Sequence, residues 1–151
     1  MTQPEPHEAL ARAFLRLVRG FRLLERGAKC CEGVTLPQCT LLETLAEEGP
    51  QRLSGLAKIL GVKVSTATRL VDTLVRQGLV RKKTEPGDAR VVRVALTAEG
   101  ERMASKLSAA GAAFSALILD RIPAGERERT VETIAHVAQI VGSIPDCLSC
   151  R

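Results

Sequence analysis

Two sets of side chains in this sequence carry chemistry: five cysteines, and a run of cations interleaved with hydroxyls. The cysteines fall into two groups, Cys30, Cys31 and Cys39 near one end and Cys147-x-x-Cys150 near the other. A Cys-x-x-Cys pair is a bidentate clip for a soft ion. In a reducing compartment, thiols hold metals or sense oxidants rather than locking into disulfides. Cys30, Cys31, Cys147 and Cys150 are therefore the candidate ligands of a thiophilic metal ion, a metalloid or an iron–sulfur cluster, with Cys39 as a further candidate. Helix polarity separates them. Cys30 and Cys31 close a helical stretch, whose negative end disfavours a thiolate unless a cation binds it. Cys39 lies near a first turn, where free N–H groups favour the thiolate. It is the redox nucleophile if solvent reaches it, and it can equally pack on Val34 as a hydrophobic staple. Inert thiols beside an organic effector are the third reading. Catalysis is not expected: thiol oxidoreductases place Cys-x-x-Cys at a helix start after a strand, and here the pair follows the last helix. His7 and His136 have no partner at ligand spacing.

The cations point elsewhere. Residues 52–93 hold ten basic side chains against Asp72, Glu85 and Asp88, a local net of +7 in a chain whose net charge is +5. The rest of the sequence is therefore slightly acidic, and the basic middle suits a polyanion. With only Phe14, Phe21 and Phe114 as aromatics, stacking on single-stranded bases is nearly excluded. Uncharged runs such as Leu107–Leu119 fall short of the roughly 18–20 apolar residues of a membrane helix. Glu5, Glu8 and Arg12 stand where a secretory signal would be apolar. A cytoplasmic protein with no membrane partner is expected.

These residues need elements to position them. Leu10, Phe14, Leu17, Phe21 and Leu24 recur at helical spacing between Pro4 and Lys29. Thr35 and Gln38 form a capping box for a second helix running to Glu48, with Pro37 tolerated in its first turn. Ser54 can cap a short helix through Leu60. From Val64 to Gln77, Ala67, Leu70, Val71, Leu74 and Val75 make an inner stripe. Ser65, Thr68, Arg69, Asp72, Thr73 and Arg76 make an outer one. Leu79–Thr84 and Val91–Leu96 read as strands of a hairpin turning at Glu85-Pro86-Gly87-Asp88. Thr97 caps a helix to about Arg121, and a last helix spans Gly125–Ser143.

Helix, short helix, turn, polar-faced helix and basic hairpin, in that order, make a winged helix-turn-helix. A helix about 10–12 Å wide enters the major groove, and a basic hairpin can lie along the backbone with its tip in the minor groove. The run Leu53-Ser54-Gly55-Leu56-Ala57-Lys58-Ile59-Leu60-Gly61-Val62, with Ser65 to Leu74, resembles the helix-turn-helix of MarR-type bacterial regulators. Gly78-Leu79-Val80-Arg81, Asp88-Ala89-Arg90 and Leu96-Thr97-Ala98-Glu99-Gly100 resemble their wing and next helix. The resemblance implies a homodimer with interlocking terminal helices on a palindromic operator. It also implies Arg90 as the wing-tip arginine and Asp88 as its organiser. Lys63 and Val64 depart from the Ser-Pro helix start common in that family.

The expected fold class is mainly α with a small β-wing: a winged helix-turn-helix flanked by long N- and C-terminal dimerisation helices. One unit of residues 1–151 is expected, with 35–97 as the winged part, 4–32 and 98–144 as dimerisation helices, and 145–151 as a cysteine-containing tail. Dimerisation also follows from one-sided apolar helices that the winged part alone cannot cover. The small-residue run from Ser108 to Ala113 would let helices approach closely. The expected function is a homodimeric regulator, a repressor on double-stranded DNA. Ser65, Thr66, Thr68 and Arg69 read bases, Lys63, Arg76, Lys82 and Lys83 hold phosphates, and Arg90 enters the minor groove. Its effector is a thiophilic metal or metalloid at the cysteines. Thiol oxidation, or a small organic ligand in the cleft between dimer and winged regions, is the alternative.

Overall fold

Two helix starts in this protein are set by local side-chain caps in the computed structural model, which describes residues 5–27 and 33–144. The chain divides into two compact units, Met1–Ala110 and Gly111–Arg151. The first contains α1 (Pro6–Gly27), α2 (Leu36–Glu48), β1 (Gln51–Arg52), α3 (Leu53–Ile59), α4 (Val64–Arg76), β2 (Val80–Glu85), β3 (Asp88–Leu96) and the opening turns of α5 (Ala98–Leu119). The second contains the remainder of α5, a 3-10 turn at Ala124–Glu126 and α6 (Arg127–Ser143). The architecture is mainly helical with one small antiparallel sheet, the class expected from the pattern.

The N–H of Thr35 donates to Gln38 Oε1 at 2.8 Å, so the glutamine arm of the capping box starts α2. Thr97 does more than cap α5. Its Oγ1 accepts from Gly100 N–H at 3.0 Å and lies 2.6 Å from the Gly78 carbonyl oxygen, while its own N–H donates to Leu79 O at 3.0 Å. This stitches α5 onto the turn that leaves α4. The approach is close enough to demand glycine, since a Cβ at position 100 would sit 1.9 Å from the Leu79 carbonyl oxygen.

Two expectations need correction. Ser54 does not cap α3: the cap is Arg52, and Ser54 lies inside the first turn. The reason is a strand the pattern did not reveal. Gln51 pairs with Val94 and Arg52 with Arg93, so the wing is a three-stranded sheet in the order β1-β3-β2 and not a bare hairpin. Two residues are too few for any alternation to register. The wing strands also run further than expected, with Glu85 opposite Asp88 beyond an irregularity at Thr84/Glu85. Only Pro86 and Gly87 make the turn, with Gly87 at φ 97°, as a type II turn requires of its third residue.

Leu41, Leu42, Leu56, Val71, Leu74 and Val94 are the largest fully buried side chains, drawn from α2, α3, α4 and β3. They form one core with Val34, Cys39, Leu79, Val80 and the α5 residues Ala104 and Leu107. The core holds α4 by Ala67, Val71 and Leu74 of its inner stripe, with Leu70 packed at the edge, whereas Val75, expected in that stripe near the C-terminal end of the helix, is exposed. Among the described residues, no single helix is long and apolar enough to cross a membrane.

Candidate nucleic-acid interface

The first turn of α4 begins after Lys63, whose backbone is extended (φ −66°, ψ 149°) and whose carbonyl accepts from Thr66 N–H at 2.9 Å and Ala67 N–H at 3.0 Å. Ala67, Val71 and Leu74 are buried, while Lys63, Ser65, Thr66, Arg69 and Arg76 are exposed. The expected base readers and two of the phosphate holders thus share one helix whose buried stripe fixes which way they face. Thr68 is different. It is half-buried, and its hydroxyl donates to the Val64 carbonyl at 2.8 Å, so the donor expected at a base edge is occupied within the helix. Thr73 likewise donates to Arg69 O at 3.0 Å and accepts from Arg76 Nη2 at 3.0 Å, which steadies the last arginine of the helix.

On the wing, register decides direction. Lys82 stands opposite the buried Val94, and its ammonium pairs with Asp72 of α4. That pair neutralises the carboxylate in the outer stripe of α4 and ties the wing to this helix. Neighbouring strand residues point to opposite faces, so Arg81 and Lys83 lie on the other side of β2 from Lys82. Glu85 accepts from Arg52 Nη2 at 3.2 Å and Arg93 Nε at 3.1 Å, joining the three strands through one carboxylate. Sequence patterning could not separate these roles, because a basic residue looks the same whether it is paired or open. Asp88 is exposed at the start of β3. Arg90 follows on the same strand near the tip, and its side chain lies outside the described residues.

Behind the wing, a cavity of ≈ 530 Å³ opens between α2, the wing strands and α5. Glu43, Glu47, Arg81, Glu101, Ser105 and Ser108 line it above an apolar floor that includes Leu45, Leu96 and Ala104.

The cysteine site stands apart from all of this. Cys30, Cys31, Cys147 and Cys150 lie outside the described residues. Cys39 is 7% exposed in the core beside Val34. Burial removes the solvent access that its role as redox nucleophile or ligand required, and supports its packing role. Among the described residues, no group of three or more His, Cys, Asp or Glu side chains is placed to hold a metal ion.

Residues 34–92, from the core residue Val34 through the wing, match the MarR family model. Over that segment the chain is similar to the MarR family. Its relatives include the uncharacterized HTH-type transcriptional regulator YhbI of Bacillus subtilis, 29% identical over 111 residues, covering 74% of this chain and 68% of YhbI. They also include the HTH-type transcriptional repressor MdtR of Bacillus subtilis, 29% identical over 108 residues, covering 72% of this chain and 70% of MdtR. Among solved structures, the PcaV transcriptional regulator from Streptomyces coelicolor in complex with its natural ligand is similar at TM-score 0.71 and 27% identity, covering 92% of this chain and 98% of PcaV. These relatives are transcriptional regulators, and the chain shares their winged helix-turn-helix architecture.

Proposed function

We propose that the protein is a cytoplasmic homodimeric repressor that holds a palindromic operator with two copies of α4 and two wings. The observation that carries the reading is the outward face of α4, where Lys63, Ser65, Thr66, Arg69 and Arg76 are exposed beside the Lys82- and Lys83-bearing wing. In this arrangement Ser65, Thr66 and Arg69 contact base edges, and Thr68 takes part as an acceptor because its proton is spent. Lys63, Arg76 and Lys83 hold phosphates, and Lys82 joins them only by leaving Asp72. Arg90 enters the minor groove, with Asp88 orienting it. The repressor sign is supported by the similarity to MdtR.

The second copy is argued from what lies uncovered. Leu10, Phe14, Leu17 and Phe21 of α1 are exposed at 50%, 36%, 56% and 49%, and Val131 and Ile134 of α6 at 52% and 64%. Completing the burial of such side chains is worth on the order of 1 kcal/mol each, which is ample to drive a two-fold dimer.

For control, the cavity between α2, the wing strands and α5 supports a small organic effector. Arg81 and Ala95 put its wall on the wing strands, so occupancy would bias wing position. The similarity to PcaV, a regulator whose structure holds its natural ligand, supports control by a bound ligand. Control by a soft metal or metalloid at Cys30, Cys31, Cys147 and Cys150 rests on the sequence alone.

One assay tests the reading. Duplexes selected from a random pool by the purified protein should bind with an affinity that falls steeply as salt rises, and Arg90→Ala should weaken them sharply. A salt-independent affinity, or no selected duplex, would sink the proposal. Adding zinc or arsenite to the wild type and to the quadruple Cys→Ser protein decides the effector class: a metal response abolished by the serines supports the thiol site, and no response removes it.

A further inference from the structure

We infer that Val64 is a specificity-determining residue that reads the C5 methyl group of a thymine in the major groove. The inference rests on the DNA-binding reading above and assigns a residue that the pattern of hydroxyls and cations does not include.

Val64 is the first residue of α4 and is 51% exposed. It is not among the apolar residues that make up or pack against the core, whereas Ala67, Leu70, Val71 and Leu74 of the same helix are. As a β-branched residue it contributes little to helix propensity. Its place is the N-terminal turn, the part of a recognition helix that reaches base edges. Exposure alone would be ordinary, since single apolar side chains are common on surfaces. The second observation gives it direction. Thr68 lies four residues on, on the same flank of the helix, and its hydroxyl proton is held by the Val64 carbonyl at 2.8 Å. That flank therefore offers methyl groups and no free donor, while Ser65 and Arg69 provide the polar contacts on the neighbouring face.

The neighbourhood narrows the occupant. Lys63, Ser65 and Thr66, its neighbours along the chain, are all exposed at the same end of the helix. A helix end that offers a cation, two hydroxyls and one apolar side chain fits a polyanion with an isolated apolar feature, and in the major groove that feature is the thymine methyl.

The test replaces each dT in a selected duplex, one at a time, with dU, which removes the methyl and leaves base pairing intact. Wild type should lose about three- to fivefold in affinity at one position in each half-site, the scale of a single buried methyl group. Val64→Ser should bind the original duplex as wild type binds the dU duplex, and should be indifferent to that dU. Val64→Ile, which keeps the apolar tip, should restore the sensitivity. A thermal midpoint close to wild type checks that the serine variant folds; were it to unfold, Val64→Ala, which removes the two γ-methyl groups and favours the helix, takes its place and should show the same indifference to dU. Indifference of wild type to every dU, or equal sensitivity in Val64→Ser, overturns the inference and leaves DNA binding standing. Failure to select any duplex sinks the DNA-binding reading itself.

Discussion

Helices α4 and α6 are both amphipathic, yet their apolar sides end differently. In α4 the inner stripe is taken up by α2, α3 and the sheet, so Ala67, Val71 and Leu74 are fully buried and the outer face is left to groups that suit DNA. In α6 no residue is buried, and Val131, Ile134, Ile140 and Val141 remain about half or more exposed. The first helix is completed by its own chain. The second carries an apolar surface that its own unit does not cover. One chain can thus complete one helix while leaving the apolar side of another open, because burial, not helix propensity, decides which helices are complete within their own unit.

The comparison can be broken most directly in the core. Leu74→Ala should cost about 2–5 kcal/mol, read from urea unfolding at any protein concentration. On the proposed dimer, Ile134→Ala should instead shift the thermal midpoint in a concentration-dependent way, because its loss would act through association. A concentration-independent shift for Ile134 would erase the distinction between the helices.

A smaller effect sharpens the same contrast. The pair Leu10→Glu and Phe14→Glu should leave the winged unit folded but monomeric by sedimentation. Loss of two-headed binding should weaken a palindromic duplex by about a hundredfold. A dimer that persists would move the assembly surface off α1.

The smallest change is expected at the wing. Glu85→Gln removes a half-buried carboxylate shared by the exposed Arg52 and Arg93, and pairs open to solvent on one side in this way are worth about 1 kcal/mol or less. Stability should hardly move, while affinity for duplex rises as two guanidiniums become available to phosphates. A fall in affinity would mean that Glu85 shapes the wing and does not merely screen it.

How much could be read in advance follows the same division. The periods of Leu10 to Leu24 and of Ala67 to Leu74, the Thr35–Gln38 box, Thr97 and the Pro86-Gly87 turn are local signals, and each marks an element that is present. The positive charge of residues 52–93 is additive along the chain and needs no fold to be counted. What resisted reading depends on distant partners. The strand at Gln51–Arg52 exists because Val94 and Arg93 lie alongside it. Cys39 could be reactive or inert until the core closed over it. Lys82 and Lys83 are adjacent letters, yet the pleat turns them to opposite sides and gives one of them to Asp72. Val64 stood out in the sequence only as a departure, with Lys63, from a Ser-Pro helix start, and nothing local showed that its side chain would be left open. Propensity, capping and net charge are properties of neighbours in the chain. Which donor is spent, which thiol is sealed and which valine is left facing outward are properties of neighbours in space, and these are set only when the core is assembled.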